Sequence, residues 1–142
     1  MTSPKVVDAP LPFAVDRPFH VNQLVPTHRQ LLLRSPMGDS FDERIDILFK
    51  GVSAMKLAFE LPALEIRAPT AAEYEMITVD CGPELLERPG TRCYVISGGP
   101  SVGYVVALSA FRTADQEHAA NDSRLLFDLH RTAPPETVTR LV

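Results

Sequence analysis

Hydrophobic and polar positions along this chain alternate in short runs with a period of two. Phe19, Val21, Gln23 and Val25 alternate with His20, Asn22 and Leu24, and Pro26 stops the run, which predicts a half-buried strand. Leu31, Leu32 and Leu33 lie between Gln30 and Arg34, so residues 29–35 read as a strand covered on both faces. Ser35-Pro36-Met37-Gly38-Asp39-Ser40 has the composition of a turn. Beyond it Ile45, Ile47 and Phe49 alternate with Arg44, Asp46 and Leu48, the clearest amphipathic strand in the sequence. After Lys50-Gly51, residues 52–59 place Met55, Leu57 and Phe59 on one side, and Leu64-Glu65-Ile66 forms a short strand between Pro62 and Pro69. Connections of a few residues favour antiparallel neighbours, because a parallel crossover takes about a dozen residues or more.

The period then changes. Thr70-Ala71-Ala72-Glu73 has the spacing of a capping box, in which the Thr hydroxyl and the Glu carboxylate each satisfy a free amide at a helix start. A short helix is predicted over 70–77, where the β-prone Ile77-Thr78-Val79 argues against continuing, and Pro83 opens a further helical turn over 83–88. Residues 92–97 and 102–111, rich in β-branched and aromatic side chains, flank Gly98-Gly99-Pro100-Ser101 and predict a hairpin. Residues 112–122 read as a polar loop, and 123–129 as a short helix or edge strand docked by Leu125, Leu126, Phe127 and Leu129. Pro4, Pro10, Pro12 and Pro18 favour an extended tail over 1–18, and Pro134-Pro135 is expected to end ordered structure. The expected fold is one β-rich α+β domain over 19–130. It consists of a single antiparallel sheet with one or two short helices on one face, between an N-terminal tail (1–18) and a C-terminal tail (131–142).

Composition narrows the function classes. At 142 residues and 45% hydrophobic, the chain is too apolar for a disordered one and long enough to bury a core without staples. Its formal net charge of −4 disfavours general binding to nucleic acid, which calls for a basic patch. The best apolar run, residues 104–110, falls far short of the roughly 20 residues that span a bilayer, so no membrane association is expected. Met1–Phe13 lacks the basic start and apolar stretch of an export signal, which points to the cytoplasm and to Cys81 and Cys93 as reduced thiols. A disulfide between them remains geometrically open.

The search for reaction chemistry returns little. The glycines of 97–103 lead into a β-rich segment with no Lys, so a hairpin turn fits them better than a phosphate cradle. His20, His28, His118 and His130 show no metal-ligand spacing, two cysteines are too few for a structural zinc site, and no nucleophile elbow occurs. No catalytic, cofactor or metal residue is assigned, and no cofactor is expected. The one uneven feature is residues 60–88, where seven acidic residues face two arginines. Such a surface attracts a basic protein partner, and Glu73, Glu75, Glu84 and Glu87 are its candidate residues.

The stretches Thr27-His28-Arg29-Gln30-Leu31-Leu32-Leu33-Arg34-Ser35 and Arg44-Ile45-Asp46-Ile47-Leu48-Phe49-Lys50-Gly51-Val52, followed by Leu64-Glu65-Ile66, resemble small uncharacterised bacterial β-rich proteins. Over residues 19–111 the layout is similar to that of bacterial immunity proteins, which neutralise toxins. The resemblance rests on hydrophobic pattern and carries over no site residue. Together with the absence of a catalytic constellation and the acidic 60–88 segment, it points to a non-enzymatic cytoplasmic protein-binding module of inhibitor type. The alternatives are a small-molecule-binding protein or enzyme with a site around His28 or His118, and a structural subunit associating through a sheet edge.

Overall fold

The computed structural model describes residues 3–126 and 133–142. Among these residues, twelve strands are arranged in two sheets. The larger sheet has the order β1 (Lys5–Ala9), β12 (Thr137–Leu141), β11 (Ser109–Asp115), β5 (Arg44–Lys50), β4 (Gln30–Ser35), β3 (Phe19–Val25) and β7 (Glu60–Leu61). The smaller runs β2 (Phe13–Val15), β8 (Leu64–Arg67), β9 (Arg92–Ser97), β10 (Gly103–Ala107) and β6 (Ala54–Lys56). The β-rich character stands, but the single antiparallel sheet does not. Every named pair is antiparallel except β1 with β12, which run parallel and make the larger sheet mixed.

The reason for two sheets lies in the number of apolar faces. Leu31, Leu33, Ile45, Ile47 and Phe49 of the larger sheet meet Leu64, Ile66, Tyr94, Ile96 and Val105 of the smaller in one buried cluster. Phe49 and Tyr94 cross this core edge to face, with ring centroids 5.4 Å apart. The chain changes sheets at Leu108. Ala107 is buried in β10 and Ala110 in β11, so the second arm of the expected 102–111 hairpin is two strands in different sheets. Gly51 makes the complementary step out of β5. Its φ of +68° favours glycine, and a Cβ there would stand 2.7 Å from the Leu108 side chain. Residues 52–59 are accordingly divided, with β6 in one sheet and β7, just beyond, in the other.

The proline-rich termini are also enlisted. Residues 3–18 are extended, as the prolines require, but they supply β1 at one edge of the larger sheet and β2 at one edge of the smaller. Ordered structure does not end at Pro134-Pro135: β12 follows and sits between β1 and β11, with Val138 and Leu141 buried. The C-terminal segment is therefore an interior strand of the sheet, because Phe111 and Val138 share an apolar cluster that needs covering. Residues 127–129 of the expected docking segment, and the expected boundary at 130, lie outside the described residues. The described part, Arg124–Leu126, is a 3-10 turn whose Leu125 and Leu126 pack on Leu32 and Leu48.

Near that apolar patch, the outer face of the larger sheet carries a buried ionic lattice. Arg34 binds Asp46 in bidentate fashion at 2.7 and 3.1 Å, and Arg44 binds Asp115 at 2.9 and 3.0 Å. Arg44 also lies 3.8 Å from Asp46, and Arg34, Arg44 and Asp46 are each at most 2% exposed. The remaining guanidinium donors reach backbone carbonyls: Arg34 those of Ala119 (2.8 Å) and Asn121 (3.1 Å), Arg44 those of His118 (3.2 Å) and Asn121 (2.9 Å). The polar loop after β11 is thereby fastened over the sheet. Arg17 does similar work on the turn at 36–43, donating to Ser35 Oγ (2.7 Å) and the Glu43 carbonyl (2.7 Å) while stacking on Phe41.

Breaking this lattice one-sidedly leaves a buried charge. Asp46→Ala should cost about 3–5 kcal/mol in urea unfolding, whereas the neutral double substitution Arg34→Met with Asp46→Leu should cost clearly less. Equal losses in the two would contradict the lattice's role.

Candidate interaction surface

The outer face of the smaller sheet is covered by α1 (Ala71–Cys81) and α2 (Pro83–Leu86). Ile77 and Leu86 insert into a cluster with Val95, Tyr104 and Val106. The capping box forms as the sequence predicts: the Thr70 hydroxyl accepts from the Glu73 amide at 3.2 Å, and Glu73 Oε1 accepts from the Thr70 amide at 2.9 Å. Arg67 on β8 grips the same carboxylate through two bonds of 2.6 and 2.8 Å. The Arg67 guanidinium first, and the Thr70 amide second, hold the Glu73 carboxyl down at about 2. At the far end Tyr104 Oη donates to Asp80 Oδ2 at 3.2 Å, and Cys81 Sγ lies 3.7 Å from the same hydroxyl. Burial, reinforced by the hydrogen bond to Cys81, raises the Tyr104 phenol above its usual range and keeps it a donor.

These contacts fix the helix ends and leave its outer side exposed among the described residues. The helix runs to Cys81, through the β-prone residues at which the sequence predicts its end. Thr78 is accommodated by donating its hydroxyl to the Tyr74 carbonyl at 2.8 Å, and Gly82 (φ +87°) then closes the helix. A helix lying on a sheet ordinarily turns its apolar stripe inward. Here Val79 is 81% exposed, Met76 48% and Tyr74 45%. Met76 and Val79 are three residues apart and so share one face, with Glu75 one turn before Val79.

Of the four candidate acidic residues, Glu75, Glu84 and Glu87 are exposed. Glu73 is half-buried and committed to the capping box and to Arg67, so it anchors the helix and is not offered to a partner. Charge bias marked this face in the sequence. The apolar component (Tyr74, Met76, Val79) went unmarked, because only a helix continuing past Ile77 brings Met76 and Val79 onto one exposed face. The signal for that extension was the Cys81-Gly82-Pro83 stop.

The histidines lie elsewhere. His28 ends a 3-10 turn between β3 and β4, exposed, with Nδ1 3.0 Å from the Thr27 hydroxyl. His118 belongs to the loop latched by Arg44, and its Nδ1 accepts from the Ala120 amide at 3.0 Å. Both rings bond within their own turns. A groove of about 800 Å³ opens where β3 and β7 meet the turn at 98–100, and it is lined by His20 rather than by His28 or His118. Phe19, Phe59 and Leu61 make it largely apolar, and His20 and Glu60 are its titratable side chains. Among the described residues no group of three or more His, Cys, Asp or Glu side chains is placed to hold a metal ion. No helix among them is long and apolar enough to cross a membrane.

The depressed Glu73 value fixes a pH dependence. A carboxyl that titrates lower in the folded chain contributes stability above its ordinary value near 4.5, and that contribution is lost as pH falls through about 2. Glu73→Gln keeps an acceptor at the helix start but removes the titration. The stability gap between wild type and this variant should therefore shrink as pH falls from about 4.5 to about 2, as read by thermal melts; a gap constant with pH would contradict it. No protein-family model, curated protein or solved structure matches this chain.

Proposed function

We propose that this protein is a non-enzymatic, cytoplasmic protein-binding module of inhibitor type that engages its partner through the outward face of α1 and α2. The observation that carries the reading is Val79, 81% exposed beside Met76 on a helix whose ends are pinned by the Glu73–Arg67 and Tyr104–Asp80 contacts. Solvent-facing apolar side chains on a rigid element are anchors that lose little conformational entropy on binding. The rim supplied by Glu75, Glu84 and Glu87 selects for a complementary partner: an apolar hollow bordered by Lys and Arg. Such charges raise the association rate and weaken with salt, because the Debye length is about 8 Å at physiological ionic strength. The resemblance in hydrophobic pattern to bacterial immunity proteins points the same way, with a toxin as the proposed class of partner, and the negative net charge favours a protein over nucleic acid.

The test compares variants of one immobilised chain in extract from its native host. Val79→Asp, and separately Glu75→Lys with Glu84→Lys and Glu87→Lys, should release a protein that wild type and a Leu24→Asp control both retain. A hot-spot loss of about 2 kcal/mol or more predicts at least about a tenfold drop in retention. All three variants change exposed positions, so unfolding free energies should stay within about 0.5 kcal/mol of wild type. If every species held by wild type is held equally by the α1–α2 variants, this face is not the binding surface.

A further inference from the structure

The two thiols, twelve positions apart in sequence, converge on one small cluster. Cys81 is the last residue of α1 and Cys93 lies on β9, opposite Val106 of β10. Both are half-buried, both are free, and both pack against the cluster of Ile77, Leu86, Val95, Tyr104 and Val106. The placement is specific: Tyr104 pairs with Val95, so Cys93 sits diagonally beside it on the same face, while Cys81 Sγ lies 3.7 Å from the Tyr104 hydroxyl. Tyr104 therefore lies beside the Cys81 sulfur and diagonally from Cys93 on the same face of the sheet. Gly82, at φ +87° with open space where a Cβ would project, gives the backbone beside Cys81 freedom to adjust.

We propose that Cys81 and Cys93 form a reversible disulfide that fastens the C-terminal end of α1 to the smaller sheet when the chain meets an oxidised low-molecular-weight disulfide such as oxidised glutathione. The Cys81 thiolate attacks one sulfur of the small disulfide, forming a mixed disulfide and releasing one small thiol. The Cys93 thiolate then attacks the Cys81 sulfur and expels the second. Two protein thiols are oxidised to one disulfide, and the small disulfide is reduced to two thiols. Cys81 begins the exchange because burial, with Cys81 nearby, raises the pKa of Cys93 and makes it the poorer initial nucleophile. The bond closes a short loop that holds α2, and it stabilises the fold by restricting the unfolded chain. This inference stands apart from partner binding: it needs only the juxtaposition of the thiols.

The experiment incubates the folded full-length chain in glutathione buffers of graded redox ratio, quenches by acid, alkylates and digests with trypsin. Cleavage at Arg67, Arg92 and Arg112 places Cys81 and Cys93 in separate peptides, residues 68–92 and 93–112. The expected result is a cross-linked pair of these peptides in the monomer, lower in mass by two hydrogens, with a melting temperature several degrees above that of the reduced chain. Cys93→Ser should stop at a glutathione adduct on Cys81. Recovery of two alkylated thiols throughout the range, of glutathione adducts without the cross-link in wild type, of a dimer joined between chains, or of a cross-link only in urea would overturn the proposal. The wild-type mass measurement does not depend on the variant folding.

Discussion

Arg34, Arg44, Asp46 and Asp115 stand on three neighbouring strands where water is nearly excluded, and each charge there is tolerable only because an opposite one is within bonding distance. The rest of the architecture follows from that constraint. With its inner face against the smaller sheet, the larger sheet must have its outer face closed as well. The closing element is the polar loop after β11, whose carbonyls complete the guanidinium donor sets, continued by Leu125 and Leu126 over Leu32 and Leu48. A loop of polar composition becomes a lid on the sheet because arginines, with five donors in a fixed fork, can hold a carboxylate and backbone carbonyls at once.

The smaller sheet solves the same problem with helices. Its outer cluster is modest, and Ile77 and Leu86 suffice to cover it. What remains of α1 faces outward, apolar residues included. A helix that touched the sheet along its whole length would have no such surplus; one pinned at its ends by Arg67 and Tyr104 does. The same economy of attachment brings Cys81 into the neighbourhood of Cys93.

Local rules read well from the sequence, and pairings between distant segments did not. β3, β4, β5, β8 and β9, the capping box at Thr70 and the turn at Gly98 are each set by neighbours within a few residues, and alternation or turn chemistry reports those directly. The division into two sheets is decided at Leu108 and Gly51, where a continuous apolar run conceals a change of partner strand. The prolines of residues 1–18 correctly argued against an interior strand but could not say that edge positions awaited them. Nor could they show that β1 would run beside β12, whose five residues follow Pro134-Pro135. Arg44 and Asp46 form the polar side of the amphipathic strand over 44–49, and Arg34 bounds the leucine run, but alternation marks two faces without saying whether the polar one meets water. On the candidate surface the acids were legible as composition, whereas the commitment of Glu73 to Arg67 and the exposure of Val79 depend on where the helix lands.

Native-state hydrogen exchange with residue resolution tests the central claim most directly. If the ionic lattice seals the outer face of the larger sheet, the amides of β4 and β5 open only with global unfolding, and those of α1 exchange earlier through local opening. Exchange from β4 and β5 as fast as from α1 would show that face to be open to water, and the account of how this domain is closed would fail.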